Sequence, residues 1–262
     1  KKTISFQMVD IGQGDFFILE DGKDVYLFDC GEVSFKNYSS SEKIIIPLLK
    51  AKGIKKIKAI FVSHEDKDHM GSIKNLKNNF ELGPIISNKY NKNLGKIHFF
   101  KEMGEGDVYK GKNFRVRSLK NFDGKENENS MPLLIEINKF KILTMGDLPK
   151  DKEEIIARDI DILKVSHHGS RFSTSKKFVK MTSPDLALIS AGRNNTYGHP
   201  SKEVLENLKS VEICNSQRDG FCQIDFYKDS YKVKKYVKGG FFRWIIRNLW
   251  LIYLKKIQEE FI

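Results

Sequence analysis

The sequence predicts an α/β chain of the α+β type: two mixed sheets packed face to face, flanked by helices, with one further helix appended at the C-terminus. Three observations predict it. Short apolar runs of strand length recur along the 262 residues and alternate with stretches of helical periodicity. These strand-and-helix clusters come in two successive halves, which is the pattern of packed sheets rather than of a helical bundle. A glycine pair, Gly239-Gly240, then separates this body, residues 1–238, from an apolar segment over 241–262.

The elements follow in order. Residues 4–9 read as a strand that breaks at Asp10-Ile11-Gly12-Gln13-Gly14-Asp15, and strands 16–19 and 25–28 flank the hairpin signal Asp21-Gly22. Ile44, Ile45, Leu48 and Leu49 are spaced as on a helix over 42–52 closed by Gly53. Strand 57–62 precedes a histidine loop, and a helical pattern resumes over 70–80. The stretch 81–130 is less regular, with short strands expected at 97–100 and 114–119. A hairpin over 133–137 and 141–145 ends in Gly146-Asp147. Helices 150–158, 175–181 and 201–209 then alternate with strands 162–165 and 186–190, and strands 211–214, 221–227 and 231–237 close the body. The segment after Gly240 carries both tryptophans, Trp244 and Trp250, and its apolar face is broad for a surface helix. It reads as a docking helix, for its own body, a twin subunit or a neighbouring domain. Arg243, Arg247, Lys255 and Lys256 also permit contact with a membrane surface, the weaker of the two readings.

Composition narrows the function classes. Hydrophobic residues at 40% and charged residues at 31% are ordinary for a soluble globular protein, and no apolar run reaches the ~20 residues a spanning helix needs. The opening Lys1-Lys2-Thr3 has neither a methionine nor signal-peptide character, the expectation for a processed fragment. Three widely spaced cysteines, Cys30, Cys214 and Cys222, build neither a disulfide framework nor a Cys-x-x-Cys zinc site, so a reducing, cytoplasmic compartment is expected. The net charge of +12 suits a polyanionic partner, although a lysine-rich composition alone carries that expectation only weakly.

Chemistry concentrates in a few short runs. Ser63-His64-Glu65-Asp66-Lys67-Asp68-His69 puts four possible metal ligands, His64, Asp66, Asp68 and His69, into six positions, directly after a strand. Imidazole and carboxylate together suit borderline-to-hard divalent ions. The alternate positions His64 and Asp66 can face one ion, and Asp68 and His69, at the start of the next helix, a second. An ordinary polar loop with two capping acids is the competing reading, and four ligands at such close quarters count against it. Gly146-Asp147, His167-His168-Gly169-Ser170 and Gly198-His199-Pro200 each follow a further apolar run and supply more candidates. A nucleophilic serine elbow, a phosphate-binding glycine loop and a haem motif are all missing from the sequence.

The loop His64-x-Asp66-x-Asp68-His69 resembles the signature of the metallo-β-lactamase superfamily, with Asp66 where a histidine is more usual. That variant is similar to the hydrolase domain of the ComEC family of DNA-uptake proteins. Met8 to Asp15, Leu27-Phe28-Asp29, Leu143 to Asp147, Asp161 to Ser170 and Asn195 to Pro200 agree in the same order, so the resemblance spans roughly residues 4 to 237. It implies an αββα sandwich with metals at one edge, and hydrolysis by a water activated between two divalent ions. It assigns His64 and Asp66 to one metal, Asp68 and His69 to the other, and Asp147 to a bridge between them.

His167 and His168, if extended, would point to opposite sides; we read His167 as completing the second metal and His168 as the catalytic helper beside Asp68. His199 is expected to touch substrate or leaving group, or simply to start the helix at Ser201. Asp29 is implied to brace the metal loop, while Asp15 lines the cleft or caps a turn. Lys164 meets a substrate phosphate or is an edge lysine, and Ser170 and Asn195 fall near substrate. Such families usually add another histidine before the Gly-Asp turn; here that region offers Asn127, Asn129 and Ser130, and the nearby His98 reads as a strand residue. A ligand-poor, carboxylate-rich site leans toward Mn²⁺ or Mg²⁺ over Zn²⁺. The resulting expectation is a phosphodiesterase or nuclease acting on DNA or RNA. The alternatives are a small-molecule phosphodiesterase and a partner-docked effector or scaffold.

Overall fold

Along the strand Phe16–Asp21, Phe17 and Leu19 turn into one apolar cluster while Phe16 and Ile18 turn into another. The next strand repeats the pattern, with Tyr26 and Phe28 on the first side and Val25 and Leu27 on the second. A strand that is apolar on both faces must be covered on both, which is why a period of two here gives a layered molecule rather than a solvated sheet.

The computed structural model describes residues 4–236. Its main strands are β1 (Ile4–Met8), β2 (Phe16–Asp21), β3 (Asp24–Cys30), β4 (Ala59–Phe61), β5 (Ile85–Ser87), β6 (Phe100–Glu102), β7 (Val108–Lys110), β8 (Phe114–Ser118), β9 (Leu133–Ile137), β10 (Phe140–Thr144), β11 (Ile162–Lys164), β12 (Leu186–Ile189), β13 (Glu212–Asn215), β14 (Phe221–Phe226) and β15 (Tyr231–Tyr236). One sheet runs β6-β5-β4-β3-β2-β1-β14-β15 and the other β7-β8-β9-β10-β11-β12-β13. In each, an antiparallel part joins a parallel part: β3 to β6 in the first, β10 to β13 in the second.

Three apolar layers hold the sheets. Phe6, Phe28 and Phe61 from one sheet meet Ile135, Ile142 and Leu188 from the other in the central core, with the Phe28 and Phe61 rings stacked at 4.8 Å. Outside the first sheet, Ile18, Leu27 and Ile60 pack against Leu48, Leu49, Ile73 and Leu76 of the helices Ile46–Ala51 and Ile73–Lys77. Outside the second, Leu143, Leu163 and Ile189 pack against Phe178 and Val204 of the helices Lys176–Thr182 and Lys202–Asn207. Each such side chain contributes roughly 1.5–3 kcal/mol by leaving water. The architecture is the αββα sandwich that the resemblance implies.

Local differences have local causes. The helix expected over 70–80 starts early, at Lys67–Met70, and restarts at Ile73–Lys77. His98 is not in a strand: it precedes β6, half-buried, with Nε2 3.1 Å from the Leu82 carbonyl. The three-residue strands β5 and β7 are too short to show a period in sequence. The appended helix and the boundary expected at 238–241 lie outside the described residues. Among the described residues no helix is long and apolar enough to cross a membrane.

Candidate metal centre

The parallel strands of both sheets deliver their C-terminal ends to one edge, where open α/β sheets place their ligands. β3 carries Asp29 next to its last residue, β4 runs on into Ser63 and His64, β10 into Gly146-Asp147, β11 into His167-His168, and β12 into Ser190. The backbones approach closely there. A Cβ on Gly31 would sit 2.0 Å from the Asp68 carbonyl oxygen, and one on Gly146 2.7 Å from Ser63 Cβ. Only glycine lets these loops meet.

His69 is fully buried at the centre. Its Nδ1 donates to Asp29 Oδ2 at 3.0 Å, and its Nε2 lies 3.1 Å from Asp147 Oδ1. Asp29 also accepts from Ser63 N at 2.7 Å and Ser63 Oγ at 2.9 Å, so it ties the loop to β3. His168 is buried too; Nδ1 donates to the Ser190 carbonyl at 2.8 Å, which turns Nε2 toward Asp68 Oδ2 at 3.2 Å. His64 is held through Nδ1 by Ser63 Oγ at 3.0 Å. Each imidazole thus uses one nitrogen on the protein and aims the other inward, the arrangement that orients histidines for a metal.

Three sets of candidate donors result, each with ligand atoms within 4.8 Å of one another and all sharing His69: His64–His69–Asp147 and Asp68–His69–His168, which face the basin, and Asp15–Asp29–His69 behind it. His64 Nε2, His69 Nε2 and Asp147 Oδ1 are buried and make no well-aligned hydrogen bond among the described residues; His69 and Asp147 meet only as an ion pair across the basin. Orphaned polar atoms cost stability, and three converging on one basin need a ligand to satisfy them. Nitrogen and carboxylate donors in this ratio fit a divalent cation.

The electrostatics agree. Burial pulls the His69 pKa down, but Asp147 and Asp29 outweigh it and hold it well above the usual range. For His168 the same opposition, burial against Asp147 and Asp15, leaves it raised to about 9. Asp147 is held well below its ordinary value because His69 and His168 overcome the burial that would raise it. Without a cation, protons on the imidazoles balance the carboxylates, so binding a cation must release them.

The remaining expected residues fall in different places. Asp66 is exposed, its Oδ2 3.4 Å from His64 Nε2, and it belongs to none of the donor sets. His167 is half-buried, with Nε2 3.7 Å from Asp147 Oδ2, and stands beside the donors rather than among them. Its pKa is lowered by burial. Adjacent His167 and His168 do not alternate as on a strand, because both have left-handed backbones, φ 48° and 52°. Lys164 is buried under the centre, not at an edge or facing solvent: Nζ pairs with Asp15 and donates to the Gly146 carbonyl at 3.1 Å. Ser170 and Asn195 serve their loops. Ser170 Oγ accepts from Phe172 N, while Asn195 braces Gly192 and His199. His199 Nδ1 is a further buried orphan, and burial together with His167 pushes its pKa down to about 4.

Where another histidine would be usual, Asn127 Nδ2 approaches His167 Nδ1 at 3.5 Å and Ser130 Oγ accepts from Asp147 N at 3.1 Å. Ser63 is the functional residue that sequence reasoning missed: its hydroxyl touches Asp29, His64 and His69. Its place between a strand and the first histidine was the available signal.

The model of the Metallo-beta-lactamase superfamily matches residues 9–193. The chain belongs to that superfamily. Among curated relatives in it, ComE operon protein 3 of Bacillus subtilis is 32% identical over 82% of this chain and 32% of its own length. Recombination protein 2 of Haemophilus influenzae is 30% identical over 96% of this chain and 32% of its own. The chain therefore spans about a third of the length of these relatives, which carry the ComEC-like resemblance. The superfamily fold is also that of the crystallised YhfI of Bacillus subtilis, with a TM-score of 0.63 at 14% identity over 85% of this chain and all of that one. Membership makes the chain a metal-dependent hydrolase by fold and superfamily.

Proposed function

We propose that this chain is a phosphodiesterase that cleaves nucleic-acid strands, DNA or RNA. The observation that carries the reading is the convergence of the buried His64 Nε2, His69 Nε2 and Asp147 Oδ1, none with a well-aligned hydrogen bond, beside the Asp68–His168 pair. The net charge of +12 favours a polyanion, and a recombination protein among the relatives makes a DNA strand the first to test. Divalent ions held by His64, Asp68, His69, Asp147 and His168, Mn²⁺ or Zn²⁺ with Mg²⁺ also suited, would acidify water and offset phosphate charge.

The chain's own residues supply the rest. Asp147, fixed by Ser130 and His69, keeps a carboxylate pointed into the basin. We assign His168 to the donor set and His167 to proton transfer, exchanging the roles expected from sequence. His168 is fully engaged between Ser190 and Asp68, whereas His167 is half-exposed and free to meet a departing oxygen. Burial lowers the His167 pKa, so what fits it to pass a proton to a departing oxygen is its half-exposed place beside Asp147, not a resting charge. His199 stays uncharged at neutral pH and offers a hydrogen bond, not a charge.

The test is to incubate the protein with linear and circular double-stranded DNA, single-stranded DNA, RNA and a small aryl diester. Mn²⁺, Mg²⁺ and Zn²⁺ are added separately, with a chelator control. Cleavage of a strand that needs the metal supports the proposal. Turnover of the small diester alone would shift the substrate to a small molecule, and no turnover of any of them would overturn the hydrolase reading.

A further inference from the structure

A line of rings leads from the surface to the metal centre. Tyr197 stacks on His199 at 5.7 Å and 17°, His199 meets His167 at 5.7 Å, and His167 Nε2 stands 3.7 Å from Asp147 Oδ2. The Tyr197 ring is 69% exposed, more than any other large apolar or aromatic side chain among the described residues. Lone exposed aromatics are common and need no explanation. This one is different because its support is rigid. Asn195 Nδ2 donates to the carbonyls of Gly192 and His199, Gln217 Nε2 donates to the same two, and His199 N donates back to Asn195 Oδ1. Two side chains clamping one loop at two carbonyls hold a large apolar face in water, at the mouth of the donor basin.

We infer that Tyr197 is a stacking platform for an unpaired nucleobase of the strand whose phosphate lies at the metal centre. The inference rests on the hydrolase reading above and deepens it to a substrate class. One face of the ring is taken by His199, and the other is open. A base paired within a duplex has both faces covered by its neighbours, so an open platform selects strand ends and single strands. Tyrosine loses little side-chain freedom on stacking, and a clamped loop loses less still. Arg193, exposed on the same loop, and Arg171, exposed on the loop tied to it by the Ser201 N to Gly169 O bond of 2.8 Å, are placed for flanking phosphates.

The test compares the native protein, Tyr197→Ala and Tyr197→Phe. Affinity is read by fluorescence anisotropy in chelator, so that nothing is cleaved, for labelled single-stranded DNA, single-stranded RNA and an abasic strand of equal length. Tyr197→Ala is expected to bind base-bearing strands about tenfold more weakly and the abasic strand unchanged, while Tyr197→Phe stays close to native. A loss confined to DNA or to RNA supports the platform and names its strand. Equal binding of base-bearing strands by native and Tyr197→Ala protein, with native cleavage intact, overturns the platform and leaves the hydrolase reading standing. A native protein that neither binds nor cuts any strand overturns both.

Discussion

His168 Nε2 lies 3.2 Å from Asp68 Oδ2, joining residues 100 positions apart and closing one sheet's loops on the other's. Asp68 is half-buried, whereas its partner is buried and already bonded to Ser190. Removing the carboxylate therefore opens the donor basin without emptying the core. Asp68→Ala is expected to remain folded by circular dichroism, to lose at least about 100-fold in metal-dependent turnover, and to retain less metal after dialysis. Unchanged metal content measured by mass spectrometry would remove Asp68 from the donor set.

Asp29 acts on the centre without entering either half of it that faces the basin. It accepts from Ser63 N, Ser63 Oγ and His69 Nδ1, and its backbone is left-handed at φ 52°. Asparagine tolerates that conformation, so Asp29→Asn keeps the turn. Its amide, however, cannot accept from all three donors, and the His69 tautomer loses its anchor. Metal affinity is expected to fall about 10- to 100-fold in a chelator competition, with the fold intact. A change much smaller than tenfold would show that Ser63 alone orients the imidazole.

The Lys164–Asp15 pair is fully buried beneath the centre; burial would raise the Asp15 pKa and lower that of Lys164, and in each the opposite charge of the partner prevails. Truncating the lysine leaves the buried Asp15 with only the more distant imidazoles of His168 and His69, at 3.4 and 3.7 Å. Lys164→Met is expected to cost about 3–5 kcal/mol in urea unfolding, and a second substitution, Asp15→Asn, to restore most of it. If the double variant is no better than the single one, the lysine's bond to the Gly146 carbonyl, not its charge, is what matters.

These contacts mark the limit of what the sequence shows. The packed sheets were legible because strand-and-helix clusters recur in two halves, with the αββα order implied by the resemblance, and the loop His64 to His69 because its donors are adjacent in the chain. Lys164 was not legible: a lysine closing an apolar strand looks the same whether it reaches water or a buried carboxylate 149 positions earlier, and only the packing of β11 inside its sheet distinguishes them. The distinction between His167 and His168 was hidden for another reason. Strand alternation assumes an extended backbone, and both residues are left-handed. Tyr197 gave no periodic signal, being a loop residue whose meaning comes from the clamp of Asn195 and Gln217.

Away from the centre, Glu153 sets a pH dependence of stability. It is wholly buried on the helix Lys150–Ile156, where Oε2 accepts from Thr174 N at 2.5 Å. Burial raises its pKa more than the Thr174 bonds lower it, from 4.5 to about 8. A carboxyl so raised binds its proton more tightly in the folded state than in the unfolded one. Its contribution is therefore complete below about pH 4.5 and is lost as pH rises toward about 8. The slope is at most about 1.4 kcal/mol per pH unit in that window. Glu153→Gln keeps an acceptor for Thr174 N and carries no proton to lose. Thermal unfolding across this pH range should show the native protein weakening relative to the variant, with the two nearest in stability at the acid end. The raised His69 and His168 also favour the folded state at low pH, but they are common to both proteins and cancel in the difference. Parallel curves for the two proteins would mean that Glu153 stays ionised, with water reaching it past Thr174.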